Sequence, residues 1–247
     1  MTTLNQTGRT AIVTGGSGGI GSAVSKSLAA AGHHVVVAYH EAADAAKRVV
    51  AEIEASGGSA AAIQADVVHA DQVESLFAAA ERFGPVHVVV NNAGTMIPRK
   101  LAELGPDVFD AVFDVNVRGA LNVLREAARR TADGGRIVNT SSTLVQDPIP
   151  GSGAYAASKA ALELLGKVAA KELGGRGITV NTLRVGPTVP GMFSQAPAER
   201  RAAMAAASPF GRMGSPQDTA DVVSFLAGDA GRWITGQVIT VDGGATP

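Results

Sequence analysis

The sequence predicts an α/β fold: a single, doubly wound domain in which a seven-stranded parallel sheet carries helices on both faces. Short β-branched runs alternate with longer alanine-rich runs of helical spacing, which is typical of strand–helix–strand units. The 247 residues, 46% of them hydrophobic, are enough for one large domain with a buried core. No linker, repeat or low-complexity block divides residues 1–247, so we expect one domain.

Strands and helices are expected to alternate along most of the chain. The predicted strands are Thr10–Thr14, His34–Tyr39, Ala60–Gln64, Val86–Val90, Arg136–Thr140, Ile178–Thr182 and Gln237–Val241. The predicted helices are Gly19–Ala31, Ala42–Ser56, Asp71–Phe83, Pro106–Thr131, Ser152–Leu173 and Pro216–Gly228. Right-handed crossovers between parallel strands place these helices on both faces of the sheet.

Residues 185–209 interrupt the alternation. Gly186-Pro187, Pro190-Gly191 and Pro197 break up any regular pattern in this stretch. Irregular segments of this length in compact domains are often mobile and cover a substrate. We therefore expect residues 185–209 to form a substrate loop or lid.

Composition and charge exclude several classes of function. Lys and Arg number 21 against 22 Asp and Glu, and no basic run or aromatic-interleaved patch is present, so neither nucleic acid nor a membrane is an expected partner. No apolar stretch approaches the length of a membrane span, and the N-terminus does not resemble a signal peptide, so the expected location is cytoplasmic. The absence of cysteine excludes thiolate chemistry, and the five histidines show no ligand spacing, so no metal site is expected.

A glycine-rich turn, Thr14–Gly21, follows the first predicted strand and opens a helix. Glycines allow a tight turn and let the backbone approach a pyrophosphate, whose charge then lies at the positive helix N-terminus. Gly15, Gly19 and Gly21 have three residues between the first two, which differs from the common dinucleotide fingerprint. Taken alone, the motif also fits a purely structural turn.

A tyrosine and a lysine stand four residues apart in Tyr155–Lys159, on one face of a predicted helix. A free tyrosine has a pKa of about 10 and is only about 0.1% ionised at neutral pH. A nearby ammonium that lowers this pKa by about three units supplies about 4 kcal/mol of phenolate stabilisation. Such a pair taken alone more often forms a solvated helix face, and it is the rest of the sequence that favours a chemical role.

Five motifs, in this order and at this spacing, resemble those of the short-chain dehydrogenase/reductase family. They are the glycine turn, Asn91–Gly94, Asn116, Ser142 and the Tyr155/Lys159 pair. The resemblance extends from Gly8 to Gly244, and the general features are similar to the 3-oxoacyl-carrier-protein reductase and polyketide or naphthol reductase branch. It implies a Rossmann-type fold and an enzyme that transfers a hydride between NADP(H) and a carbonyl or secondary alcohol, with ketone reduction as the expected direction.

The resemblance also implies a role for each matching residue. Tyr155 would be the general acid/base, and Ser142 would hydrogen-bond the substrate oxygen. Lys159 would lower the tyrosine pKa and bind the nicotinamide ribose, while Asn116 would hold a water in the proton relay. The chemistry agrees, because hydride transfer to a ketone creates an alkoxide that needs a donor and a proton. Asn116 also fits a residue that caps or bends a helix, and Ser142 an ordinary strand-end serine.

The implied cofactor-binding residues follow successive predicted strands. They are Gly15, Ser17, Gly18, Gly19, Ile20, Gly21, Tyr39, His40, Asp66, Val67, Asn92, Ala93, Gly94, Tyr155, Lys159, Gly186, Pro187 and Thr188. Asp66 matches the position that contacts adenine, although a site just before a helix also suits a cap.

NADP is the expected cofactor. The second strand ends in Tyr39-His40, where NAD-preferring relatives usually carry an aspartate that repels a 2′-phosphate. NAD is the alternative, because Gly18 fills a position where many NADP users carry a basic residue. Glu41 would supply a carboxylate slightly late, or it is a solvated residue at the start of a helix.

Two departures from the family pattern follow the sixth strand. Val185 replaces the usual proline, and Pro190 stands where a threonine usually binds the nicotinamide carboxamide. A proline offers neither a hydroxyl nor an N–H, so Thr188 is the candidate substitute. Arg184 has two readings, of which a salt-bridged structural residue is favoured over a contact to a substrate carboxylate.

The expected substrate pocket is mostly apolar, which favours a hydrophobic or acyl substrate over a sugar. Its predicted residues are Met96, Ser142, Leu144, Val145, Tyr155, Pro187, Met192 and Phe193. The same side chains also fit plain loop or core packing.

A homotetramer is expected, with a dimer as the alternative. The helices Pro106–Thr131 and Ser152–Leu173 carry many alanines, which permit close packing across a symmetric interface, or simple packing on the sheet. Other classes of function remain open: a non-catalytic nucleotide-binding sensor or scaffold, an NAD-dependent alcohol dehydrogenase, and a dehydratase or epimerase.

Overall fold

The structure, a computed structural model, describes residues 8–191 and 193–246. Its seven strands form one fully parallel sheet in the order β3-β2-β1-β4-β5-β6-β7. The strands are β1 Thr10–Thr14, β2 His34–Tyr39, β3 Ser59–Gln64, β4 Val86–Asn91, β5 Arg136–Ser142, β6 Thr179–Val185 and β7 Val238–Val241. The predicted doubly wound sheet is confirmed, and the predicted Met192 contact lies outside the described residues.

Eight helices connect the strands in the described part of the chain. They are α1 Gly19–Ala30, α2 Ala43–Ala55, α3 Ala70–Ala80, α4 Pro106–Phe113, α5 Ala120–Arg130, α6 Gly153–Leu173, α7 Ala198–Ala207 and α8 Pro216–Ala227. None of the helices in these residues combines the length and the apolar character needed to cross a membrane.

Alternating strand residues bury both faces of the sheet. Ile12 and Val89 lie in one core with residues of α3, α5 and α6, whereas Val13 and Val90 lie in the other with residues of α1, α2 and α8. All four side chains are fully buried, and each contributes about 1.5–3 kcal/mol of hydrophobic stabilisation. Burial on both faces explains why these strands read as continuous valine and isoleucine runs.

The helix predicted at Pro106–Thr131 is interrupted. A π-helical segment, Asp114–Gly119, lies between α4 and α5. Gly119 packs directly on Val67, since a Cβ at this glycine would lie 2.6 Å from the valine Cγ2. Such π segments are rare and frequently occur at functional sites, and this one carries Asn116.

The predicted irregular stretch at residues 185–209 is partly wrong. Its first residue, Val185, completes β6, and Ala198–Ala207 forms α7. Six of the ten residues of α7 are alanine, the strongest helix former, and Pro197 stands in the cap position where it costs no hydrogen bond. The prolines mark the ends of regular structure here rather than its absence.

The order in which the chain adds strands reverses between β1 and β4, which are neighbours in space: β2 and β3 lie on one side of this pair, and β5 to β7 lie on the other. The carboxyl ends of β1, β4, β5 and β6 therefore meet at one edge, at Thr14, Asn91, Ser142 and Val185. Ligands of open α/β sheets bind at such a switch point.

Candidate active site

A groove of about 670 Å³ runs along this carboxyl edge. It is lined by every predicted cofactor residue that lies at the end of or after the strands β1 to β4, from Gly15 to Gly94, and by Tyr155 and Lys159 of α6. Gly186, Pro187 and Thr188, which were also predicted to bind the cofactor, do not line this groove. Gly186 and Thr188 line a smaller adjoining cavity instead.

The glycine turn closes only because it lacks side chains. Gly15 has a φ of +62°, in the left-handed region, and a Cβ at Gly21 would overlap the Gly15 carbonyl oxygen. A Cβ at Gly19 would lie 2.5 Å from the carbonyl oxygen of Pro190. The turn thus brings the N-terminus of α1 to the groove, where backbone N–H groups and the helix dipole favour an anion.

Thr14 and Asn92 join the turns that follow β1 and β4. The Thr14 hydroxyl accepts hydrogen bonds from the N–H groups of Asn92 at 3.0 Å and Ala93 at 3.1 Å. The Asn92 amide donates to the carbonyl oxygens of Thr14 at 3.0 Å and Gly15 at 3.3 Å. Sequence reasoning missed Thr14 as a groove residue, although a threonine directly before a glycine turn is a usable signal.

At the end of β2, His40 lies between two carboxylates. Its Nε2 is 3.5 Å from Asp66 Oδ2, and its Nδ1 is 3.8 Å from Glu41 Oε1. Asp66 does not cap α3, since its Oδ1 accepts from the Val68 N–H at 3.0 Å and the helix begins only at Ala70. The Glu41 side chain is 85% exposed, which agrees with a solvated residue.

Three predicted catalytic residues meet beside the groove. Ser142 ends β5, and Tyr155 and Lys159 lie one turn apart on α6. The Tyr155 hydroxyl is hydrogen-bonded to Ser142, whose Oγ also accepts from the Leu144 N–H at 3.2 Å. The Lys159 ammonium donates to the Thr140 carbonyl at 2.9 Å and lies 5.8 Å from the centre of the tyrosine ring.

Burial controls the ionisation of this cluster. It raises the pKa of Tyr155, and the hydrogen bond to Ser142 opposes that rise. Burial also lowers the pKa of Lys159 to about 8. The net shift is upward because withdrawal from water penalises the phenolate more than the hydrogen bond to Ser142 stabilises it, so the expected lowering of the tyrosine pKa by Lys159 stays a prediction. Tyr155 consequently keeps its proton at neutral pH.

Asn116 is buried in the π-helical segment and bonds to two other elements. Its amide nitrogen donates to the Thr95 carbonyl at 2.8 Å and to Ser158 Oγ at 3.0 Å, and its Oδ1 accepts from the Thr95 N–H at 2.8 Å. Ser158 in turn donates to the Tyr155 carbonyl at 2.7 Å. Both amide hydrogens are thus committed to the protein, so the side chain ties the loop after β4 to α6.

A cavity of about 90 Å³ adjoins the groove at Tyr155. Its lining residues are Ile20, Met96, Thr140, Ser141, Ser142, Leu144, Tyr155, Val185, Gly186, Thr188, Pro190, Gly191 and Phe193. Val145 and Pro187, which were predicted substrate residues, do not line it. The turn at Thr143–Val145 presents Leu144 to the cavity, and Pro187 pairs through its carbonyl with the Gly214 N–H at 2.9 Å.

The loop after β6 is held by its own backbone. Thr188 forms a parallel bridge with Gly214, and its hydroxyl donates to the Gly186 carbonyl at 3.0 Å. Thr188 is the candidate substitute for the missing threonine, and its hydroxyl proton is therefore donated to a carbonyl of its own loop. Thr188 as a residue still lines the cavity.

Arg184 forms a bidentate ion pair beneath the cavity wall. Its Nε and Nη2 lie 2.8 Å and 2.7 Å from the two carboxylate oxygens of Glu163. Glu163 is 5% exposed and also accepts from Ser141 Oγ at 2.8 Å. This geometry agrees with the favoured structural reading of Arg184, and it connects α6 to the strand that carries Ser142.

Known proteins share this fold and sequence over nearly their whole lengths. The family model described as Enoyl-(Acyl carrier protein) reductase matches residues 15–246. An NADPH-dependent aldehyde reductase-like, chloroplastic protein of Arabidopsis thaliana is 44% identical, over 96% of this chain and 94% of the relative. A dehydrogenase/reductase from Sinorhizobium meliloti is 41% identical with a TM-score of 0.94, over 99% of this chain and 98% of that one.

The angucycline C-6 ketoreductase LanV, solved with bound NADP, is 38% identical with a TM-score of 0.92, over 98% of this chain and 96% of that one. Matches of this extent, together with the five motifs in their expected places, show that the chain belongs to the short-chain dehydrogenase/reductase family.

Proposed function

We propose that the protein is an NADPH-dependent reductase of ketones or aldehydes. The observation that carries this proposal is the position of Tyr155, which lines both the long groove and the small cavity and has a pKa raised by burial. A protonated phenol at the junction of a dinucleotide groove and a substrate cavity is suited to donate a proton to a carbonyl oxygen. The Arabidopsis relative and LanV, an aldehyde reductase-like protein and a ketoreductase, support the same class of reaction.

The residues present fit a nicotinamide dinucleotide. The glycine turn, which a side chain at Gly21 would force apart, and the N-terminus of α1 offer a cradle for the pyrophosphate. When bound, the reduced nicotinamide supplies the hydride that a carbonyl carbon accepts. Tyr155 and Ser142 hold the carbonyl oxygen between them, and the Tyr155 proton moves to that oxygen as its negative charge develops.

Lys159 has two functions in this proposal. Its ammonium is anchored on the Thr140 carbonyl, and Lys159 lines the groove, where it would hydrogen-bond ribose hydroxyls of the dinucleotide. It also lies close enough to the phenol to stabilise the phenolate left after proton donation, which the protein alone disfavours. Any water of the proton relay would have to donate to an oxygen of Asn116, because both amide hydrogens of that residue are committed.

NADPH rather than NADH is the proposed donor. No arginine lines the groove within residues 8–191 and 193–246, and Lys159 is its only lysine, so His40 is the one basic side chain at the adenosine end. His40→Asp places a carboxylate opposite the 2′-phosphate and should reverse the ratio of the two kcat/KM values, whereas His40→Arg should increase the preference for NADPH. A preference for NADH above tenfold in the unaltered protein would contradict the proposal.

Nucleotide oxidation against a panel of carbonyl compounds tests the reaction itself. The panel contains aliphatic and aromatic ketones, aldehydes, β-ketoacyl thioesters and quinones, each with NADPH and NADH. Turnover of any member that disappears in Tyr155→Phe supports the reductase. Tight NADPH binding with no turnover on the whole panel favours the sensor or scaffold.

Residues 185–209 are proposed to act as the substrate lid. Val185, Pro190, Gly191 and Phe193 border the cavity, and the Pro190 carbonyl packs on Gly19 at the edge of the groove. Movement of this segment would open the cavity and the nicotinamide end of the groove together. Amide hydrogen exchange that slows across these residues on NADPH binding is the expected result.

A homotetramer is proposed as the assembly. The helices α4 to α6 expose Phe109, Leu121, Leu164 and Val168, and Trp233 near the C-terminus is 95% exposed. Patches of apolar side chains that are exposed to solvent commonly mark an interface. Light scattering should give a mass of four times 24.9 kDa, and the monomer mass at micromolar concentration would contradict the proposal.

The cytoplasm is the proposed location. Cell fractionation tests this proposal against an organelle, because the Arabidopsis relative is chloroplastic.

A further inference from the structure

A second polar cavity, of about 120 Å³, lies at the opposite edge of the sheet from the candidate active site. It is formed where several strands begin rather than where they end. Its lining residues are Arg9, His33, His87, Val88, Asp133, Gly134, Arg136, Ala227 and Asp229. Arg9 precedes β1, His33 precedes β2, and Arg136 opens β5, so the fold itself brings these basic groups together.

The cavity contains a buried cation that no carboxylate of the described residues contacts directly. Arg136 is 8% exposed; its Nη1 donates to the carbonyls of Gly134 and Gly135, and its Nε has no hydrogen-bond partner. Within residues 8–191 and 193–246, no carboxylate lies within 4.0 Å of Arg136 or of Arg9. A buried charge without a partner is costly, so this arrangement favours an anion.

The other lining groups leave room for that anion. Asp133 is occupied by Arg176, whose Nε lies 2.7 Å from its carboxylate. Burial lowers the pKa of Arg136, and Asp229 opposes this shift only through space. His33 is 4% exposed, and its Nδ1 has no partner; burial and Arg9 lower its pKa to about 4, so it is a neutral imidazole at pH 7.

We propose that this cavity binds a small tetrahedral oxyanion, either inorganic phosphate or the phosphoryl group of a small phosphorylated metabolite. The Arg136 Nε and the guanidinium of Arg9 supply charged donors of the type that recognise phosphate oxygens. The neutral His33 ring adds a donor through Nδ1 in the tautomer that carries the proton there. The volume admits one such group and excludes a nucleotide.

Ordered water is the competing occupant. Water would satisfy the Arg136 Nε and the His33 Nδ1, but it would not neutralise the charge. The two occupants therefore differ in their response to the charges around the cavity. Removal of a positive charge weakens the binding of an anion but not the binding of water. Removal of the negative charge of Asp229 strengthens the binding of an anion but not that of water.

Calorimetric titration with phosphate, at constant ionic strength set by chloride, tests the proposal with and without saturating NADPH. Saturation by NADPH removes competition from the phosphate-binding turn in the groove. We expect a saturable heat whose Kd rises about tenfold in Arg136→Gln and falls several-fold in Asp229→Asn. Arg201→Gln is the matched control, because Arg201 is an exposed arginine of α7 that pairs with no carboxylate in the described part of the chain, and the Kd for phosphate should stay unchanged in this variant.

Arg9→Gln keeps the test decisive if Arg136→Gln fails to fold, since Arg9 is exposed and its loss costs little stability. The Kd for phosphate should rise at least about threefold in this variant. Titration with glycerol 3-phosphate separates the two sources: tighter binding than phosphate indicates a phosphorylated metabolite, and equal or weaker binding indicates the free ion. No saturable phosphate heat, or the same Kd in Arg9→Gln and Asp229→Asn as in the unaltered protein, would overturn the proposal in favour of water.

Discussion

The groove and the cavity of the candidate active site are built in different ways. The groove is bounded largely by backbone and small residues that follow β1 to β4, and its shape depends on the absence of side chains at positions such as Gly21. The cavity is bounded by side chains from separate segments, among them Met96, Leu144 and Phe193. Recognition by backbone leaves a glycine signature in a sequence, whereas recognition by side chains leaves only a set of apolar residues that core packing equally explains.

Loss of the shared proton donor should have the largest effect. Tyr155 lines both groove and cavity, and Tyr155→Phe keeps the ring while removing only the hydroxyl. We expect kcat to fall about 10³-fold or more while the Kd for NADPH changes less than about threefold. Single-turnover kinetics and fluorescence titration measure the two quantities. Turnover within about fivefold of the unaltered protein would remove Tyr155 from the proposed role.

A methyl group in the glycine turn should damage the groove and spare the fold. In Gly21→Ala the new Cβ meets the Gly15 carbonyl, so the turn must shift, and we expect the Kd for NADPH to rise about 10- to 100-fold. Gly105→Ala is the control, because its Cβ would meet no heavy atom within 4 Å and Gly105 is not among the groove residues. Equal affinities in the two variants would show that the turn does not hold the dinucleotide.

The same contrast explains how much of the fold was predictable. Strand runs such as Thr10–Thr14 and His34–Tyr39 were predicted to the residue, because burial on both faces demands continuous β-branched side chains. The π-helical segment at Asp114–Gly119 was not, since its extra residue follows from contacts of Gly119 and Asn116 with distant parts of the chain. The helix α7 was missed because prolines that bound it were read as interrupting it.

Prediction of the site followed the same division. The predicted cofactor-binding residues between Gly15 and Gly94 line the groove as expected, whereas the predicted substrate residues Val145 and Pro187 do not line the cavity. A loop's backbone direction decides which side chains face a cavity, and local sequence does not encode it. The raised pKa of Tyr155 was missed for a related reason: the spacing to Lys159 is visible in sequence, but the depth of burial is not.

The ion pair behind the cavity wall should matter for stability. In Arg184→Met the buried Glu163 loses its partner, and we expect the free energy of unfolding to fall by about 2 kcal/mol, since Arg184 is partly exposed and solvent weakens the pair. The double variant Arg184→Met/Glu163→Met should recover most of this loss because no unpaired charge remains. Urea unfolding measures both. A double variant as unstable as the single one would mean that the pair is not the cause.

The smallest expected effect is the pH dependence of NADPH affinity. It concerns both the groove and the cavity, because Lys159 lines the groove and lies close to Tyr155 at the cavity. Burial lowers its pKa to about 8, so the free protein loses this positive charge as the pH rises through that value. Ribose hydroxyls accept hydrogen bonds from the charged form, so the complex holds the proton more tightly and the affinity must fall above pH 8. We expect the Kd to rise roughly tenfold between pH 7.5 and pH 9.5, because the protein must take up about one proton at Lys159 when it binds NADPH.

The 2′-phosphate is already fully ionised over this pH range, since its second pKa is near 6, so it adds no change of its own. In Lys159→Met the Kd should be higher at pH 7.5 and independent of pH over this range, and a slope equal to that of the unaltered protein would assign the proton to another group.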